Sequence, residues 1–111
     1  MTLADITERT WQEQVRELAS ILGWKVMHVR RSIGKGQRWT TATSIVGWPD
    51  LFLYHPGRGW HCAVELKSQS GKTTPEQDGV LDDLIASGVP AFVWRPSDLD
   101  AVRYVLQNGP T

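Results

Sequence analysis

Five residues, His55-Pro56-Gly57-Arg58-Gly59, separate two β-rich stretches, 51–54 and 60–68. That spacing places an antiparallel hairpin at the middle of the fold. Helical patterns bracket it. Over 8–22, Trp11, Val15, Leu18, Ala19 and Leu22 recur at helical spacing, with Asp5 or Thr7 as N-cap and Gly23 as the stop. Residues 24–30 are rich in β-formers and predict a strand, followed by a Gly- and Thr-containing loop over 32–48. Thr74-Pro75-Glu76-Gln77 offers an N-cap, a proline at the first helical position and an acceptor three residues past the cap. It opens a helix over 75–87, with Val80, Leu81, Leu84 and Ile85 on the buried side and Gly88 as the stop. A last strand is expected over 90–94, and Ser97 is the expected cap of a helix over 98–107. The order α-β-β-β-α-β-α belongs to the α/β class with a mixed sheet.

The 111 residues, 41% hydrophobic and 22% charged, suit one domain over 1–111. A chain this short buries roughly 60 to 70% of its unfolded surface, so pairing with a second copy is a natural source of added stability. No apolar run approaches the roughly 18 to 20 residues of a membrane span, and Met1-Thr2-Leu3-Ala4-Asp5 lacks signal-peptide character, so a cytoplasmic protein is expected. A single cysteine, Cys62, excludes an internal disulfide, and no Cys/His spacing matches zinc. Twelve basic and twelve acidic side chains cancel. Their distribution is uneven: Lys25, Arg30, Arg31, Lys35 and Arg38 run without an intervening acid, whereas Glu76, Asp78, Asp82 and Asp83 cluster later. A basic face and a solvated loop are both open readings of that run.

The chemistry-bearing stretch is Gly47-Trp48-Pro49-Asp50, then fourteen residues, then Glu65-Leu66-Lys67. Strand alternation sends Cys62, Val64 and Leu66 to one face and His61, Ala63, Glu65 and Lys67 to the other. Glu65 and Lys67 then stand roughly 6.5 to 7 Å apart along the strand, and the hairpin can bring Asp50 beside them. Two carboxylates supply hard oxygen ligands for Mg²⁺ or Mn²⁺, and a neighbouring lysine can orient or deprotonate water or offset phosphoryl charge. An exposed strand face with a Glu/Lys pair is the plain alternative. Other candidates carry less. His28, His55 and His61 lack metal-ligand spacing, although His28 and His61 could contact substrate. Gly34-Lys35-Gly36 lacks the full phosphate-loop pattern, so no nucleotide cofactor is expected. Cys62 reads as a buried inert thiol. Trp11 and Trp94 read as core, and Trp39 and Trp48 either pack beneath the basic loop or stack on bases.

Pro49-Asp50 and Glu65-Leu66-Lys67 resemble the two-part signature of the PD-(D/E)xK nuclease superfamily. With Glu8, Gln12, Gly47-Trp48 and Thr74-Pro75-Glu76-Gln77, the chain resembles its VRR-NUC family over about residues 7–96. The resemblance implies a restriction-endonuclease-like core, α-β-β-β-α-β(-α), with a central mixed sheet flanked by helices. It implies a Mg²⁺- or Mn²⁺-dependent DNA endonuclease in which Asp50, Glu65 and the Leu66 carbonyl are metal ligands and Lys67 is the catalytic lysine. With Trp11 at zero, Glu8 and Gln12 lie near about 60° and 100° on the first helix, bordering its buried face. Glu8 is accordingly the family's helix glutamate, with Gln12 in support; first-turn stabilisation of the helix by an acid is the other reading of Glu8. Gln77 is the motif glutamine near the site, and it equally completes a capping box. Arg30, Arg31, Lys35, Arg38 and Lys72 are the expected DNA-backbone contacts. The resemblance further implies a homodimer acting on branched DNA, as Holliday-junction resolvases do, or making paired cuts in linear duplex. The competing expectation is a non-catalytic nucleic-acid-binding module with the same fold. Such a module would be expected to have lost a metal or lysine position, and this chain retains all of them.

Overall fold

Thr7 starts the first helix as a cap residue should, its hydroxyl oxygen accepting the Thr10 amide at 3.1 Å. A computed structural model describes residues 2–29, 31–33, 39–41 and 45–110, with side chains over 2–29 and 45–110. Helix α1 (Glu8–Ile21) buries Trp11, Val15 and Ala19, the seam that the spacing predicts, and ends at Leu22 and the left-handed Gly23 (φ 91°). Strand β1 (Lys25–His28) follows, then a separate antiparallel pair, β2 (Arg31–Ile33) and β3 (Trp39–Thr41). The hairpin β4 (Leu51–His55) and β5 (Trp60–Leu66) comes next, then α2 (Pro75–Ala86), β6 (Ala91–Trp94) and α3 (Leu99–Asn108).

The main sheet has the order β1-β4-β5-β6. Strands β1, β4 and β5 are antiparallel neighbours, and β4 and β5 are joined by a tight turn in which the His55 carbonyl accepts the Arg58 and Gly59 amides at 3.2 and 2.8 Å. The β5-to-β6 connection contains α2, which permits a parallel pair. One face of the sheet, with Leu51, Leu53, Cys62, Val64 and Leu66, packs on Trp11, Val15 and Ala19 of α1 and Val102 and Leu106 of α3. Each leucine and valine among them contributes about 1.5 to 3 kcal/mol by leaving water. The buried indoles also satisfy their N–H groups across the core: Trp11 Nε1 donates to the Trp94 carbonyl and Trp24 Nε1 to the Leu106 carbonyl, both at 2.9 Å. Helix α2 lies against β5 and β6. Among the described residues no helix is long and apolar enough to cross a membrane.

The α/β class expected from the element order, and the restriction-endonuclease-like architecture that the resemblance implies, are the ones observed. Four local expectations change. The stretch expected as a loop over 32–48 contains the β2–β3 pair, because the β-forming run Trp39-Thr40-Thr41 finds a partner in Arg31-Ser32-Ile33 rather than in the main sheet. The strand expected over 24–30 is shorter, since Trp24 turns into the core before pairing with β4 begins. Ser97 does not cap α3: a 3-10 turn, Pro96–Asp98, comes first, and Ser97 instead joins Gln69 by two hydrogen bonds of 3.0 Å. Finally, Leu81 is the buried apolar residue of α2, while Ile85 is exposed, because α2 rests over the edge strand β6 and part of its apolar stripe overhangs the sheet.

Candidate active site

The loop before β4 is shaped by Gly47, at φ 90°. A Cβ built there would lie 2.6 Å from the Glu76 carbonyl carbon and oxygen and 2.8 Å from the Gln77 nitrogen. A glycine is therefore what lets this loop sit directly on the first turn of α2. Pro49 and Asp50 follow, both buried, with Asp50 6% exposed. The Asp50 carbonyl accepts the Val29 amide at 3.0 Å on the β1 side, and its Oδ2 accepts the Leu66 amide at 2.9 Å on the β5 side. Main chain and side chain together lock Asp50 between the two strands.

Continuing the β4–β5 register one step beyond Leu51 and Val64 sets Asp50 across from Glu65. Glu65 is 1% exposed, so the plain reading of an exposed strand face does not apply to it. A carboxylate taken this far from water needs hydrogen-bond donors. Gln77 supplies one, its Nε2 donating to Glu65 Oε1 at 3.0 Å. The same Gln77 completes the capping box of α2: its amide donates to Thr74 Oγ1 at 3.1 Å and its Oε1 accepts the Thr74 amide at 2.9 Å. One Gln77 side chain thus both closes the capping box and donates to Glu65. Lys67 sits half-buried one residue past β5, its amide donating to the Trp94 carbonyl at 3.1 Å. Leu66 has its side chain in the core and its amide on Asp50.

An open groove of about 590 Å³ runs between α1 and the ends of β1 and β4. Glu8 and Gln12 line it together with Asp50, so the polar flank of α1 is turned toward the start of β4. Arg9, Arg16, His28 and Val29 complete the groove. The arginines were not singled out by sequence reasoning. The helical angle that placed Gln12 near about 100° puts Arg16 near about 140° and Arg9 near about 160°, and that signal would have found them. Of the expected backbone contacts, Lys72 is exposed on the loop before α2. Arg30, Lys35, Arg38 and the Arg31 side chain lie outside the described residues.

No group of three or more His, Cys, Asp and Glu side chains that could hold a metal ion occurs among the described residues. Mg²⁺ does not require one, because it is commonly held by one or two carboxylates and keeps water and phosphate oxygens in its other positions. Asp50 and Glu65, on adjacent strands, fit that donor set. Cys62 lies on the opposite, core face, where burial pushes its thiol up to about 12. Its thiolate, the nucleophilic form, is suppressed.

The four-stranded mixed sheet flanked by helices is consistent with a PD-(D/E)xK-like core. No family model matches the chain, and no curated protein or solved structure is significantly similar to it.

Proposed function

We propose that the chain is a Mg²⁺- or Mn²⁺-dependent DNA endonuclease of the VRR-NUC type, a cytoplasmic homodimer selective for branched DNA. The observation that carries this reading is a buried glutamate, Glu65, held by Gln77 across from Asp50 and two residues from Lys67. An apolar residue of similar volume would meet the needs of the core at lower cost, and a desolvated carboxylate beside a second one is a frequent mark of a functional site.

In this reading Asp50 and Glu65 hold the metal, with the Leu66 carbonyl as a further oxygen donor. When bound, the metal supplies Lewis-acid stabilisation of the charge on the phosphoryl oxygens. The chain's own groups do the rest. Lys67 orients the attacking water and offsets developing negative charge. Water oxygen bonds to phosphorus as the bond to the leaving oxygen breaks, and the proton lost by water balances the alkoxide released. Gln77 keeps the Glu65 carboxylate oriented, and the Leu66 amide does the same for Asp50. Glu8 and Gln12 face the groove from α1 and position water there. Arg30, Arg31, Lys35, Arg38 and Lys72 hold the DNA backbone. Exposed Met27 and Tyr54, on the face of β1 and β4 opposite α1, offer apolar area to a second copy.

The test is to incubate the protein and Lys67→Ala with labelled four-way junction, flap, linear duplex and single-stranded DNA in Mg²⁺, Mn²⁺ or EDTA. Cutting that needs metal and is lost in the variant is the expected result, with the junction cut fastest. Binding without cutting under every metal condition would overturn the reading and favour a non-catalytic DNA-binding module.

A further inference from the structure

The groove beside Asp50 has an electrostatic gradient that the cleavage chemistry leaves unused. Along α1, Glu8 stands at the acidic end and Arg16 lies eight residues further, about 12 Å along the helix axis at 1.5 Å per residue. Both line the same groove as Asp50. Arg16 is half-buried, and no ion pair or hydrogen bond joins it to any described residue, although Glu13 and Glu17 lie within one turn of it. Arg9, by contrast, is highly exposed and its Nε is 3.4 Å from Glu13. The planar fork of donors on an arginine matches phosphate oxygens.

The neighbouring carboxylates strengthen the case. Asp50 and Glu8 line the groove, and a polyanionic strand approaching these carboxylates needs cations close by. Among the described residues, Arg16 is the groove arginine without a partner. We infer that the α1–β1 groove is a DNA strand track in which Arg16 binds a phosphate that is not cleaved. Because Arg16 and Asp50 line the same groove, the phosphate that Arg16 binds lies a few nucleotides from the cleaved bond. This site rests on the nuclease reading above, and its ligand class is the phosphodiester backbone.

The experiment measures DNA affinity with Ca²⁺ in place of Mg²⁺, across a salt series, for the protein, Arg16→Ala, Arg16→Lys and Arg103→Ala. Arg103 is exposed on α3 and serves as a charge control. Arg16→Ala is expected to weaken binding by about tenfold and lower the salt slope by about one, Arg16→Lys to recover part of the loss, and Arg103→Ala to change neither. A scan with single neutral methylphosphonates should find one phosphate near the cut, and not the cleaved one, whose neutralisation weakens the parent protein but not Arg16→Ala. Unaltered melting of the variant separates lost contact from lost fold. Arg16→Ala with parental affinity and parental phosphate sensitivity, in a protein that still cuts, would overturn this site and leave the nuclease reading intact. A parent protein that neither binds nor cuts DNA would overturn both.

Discussion

Gln77 holds two positions at once: its Nε2 donates to the buried Glu65 Oε1 at 3.0 Å while its Oε1 accepts the Thr74 amide at 2.9 Å. With both ends of the amide engaged, its orientation is set, and the start of α2 is tied to the centre of β5. Gln77→Ala should therefore cost about 1 to 3 kcal/mol, through the lost cap and the lost donor to a buried carboxylate. Gln77→Glu keeps an acceptor for the Thr74 amide but sets a second carboxylate against Glu65. Its stability deficit relative to the parent should be larger at pH 8 than at pH 5.5, because like charges this close favour holding a proton. Urea denaturation at the two pH values checks both variants.

Substitutions at Asp50 test its structural contact and its proposed chemistry separately. Asp50→Asn retains an oxygen that can accept the Leu66 amide, so folding should stay within about 1 kcal/mol of the parent, whereas Asp50→Ala strands that buried N–H and should lose about 1 to 3 kcal/mol. Both should reduce cleavage on the order of 10²-fold or more. Single-turnover cleavage and thermal melting on the same samples give the two readouts. An active Asp50→Asn would remove this residue from the chemistry.

Gly47→Ala tests how closely the Asp50 loop must approach α2. The added methyl meets Glu76 and Gln77 backbone atoms at 2.6 to 2.8 Å, and the residue must also keep φ near 90°. A loss of about 1 to 3 kcal/mol is expected. Cleavage should fall by more than the population of unfolded protein explains, because the loop that carries Asp50 is displaced. Melting and activity at a temperature well below the transition distinguish the two effects.

Cys62 predicts a pH signature on the alkaline side. Burial raises its thiol from 9.0 to about 12, so the folded state keeps a proton that the unfolded state releases. The stability from this group is whole below pH 9 and is lost as pH rises from about 9 toward about 12, at up to about 1.4 kcal/mol per pH unit. The difference in unfolding free energy between the parent and Cys62→Ala should shrink across that window. A thiol reagent at pH 8 should modify Cys62 only after denaturation; rapid labelling of the native protein would contradict its burial.

Much of the fold was legible because its signals are local. Trp11, Val15 and Ala19 repeat at helical spacing, Thr7 and Thr74 cap as their types suggest, and His55 to Gly59 turns a hairpin; these features depend on neighbours a few residues away. Alternation along β5 likewise assigned Cys62, Val64 and Leu66 to the core. The β2–β3 pair was less legible, because a short β-forming run carries no information about which partner it will find.

The sequence by itself determined the order of the helices and main-sheet strands, the apolar faces of α1 and β5, and the opposition of Asp50 to Glu65 through the hairpin. Only the tertiary structure decided that Glu65 is buried rather than exposed, that Gln77 reaches it from 12 residues away, and that the Asp50 side chain takes the Leu66 amide 16 residues on. It likewise turned the flank of α1 that carries Arg16 toward Asp50, a direction that the helical angles alone do not specify. The physical reason is range. Backbone periodicity is written by steric and solvation preferences over one or two turns, whereas desolvation and hydrogen-bond direction depend on which helix comes to rest over which strand, a property of the packed chain as a whole.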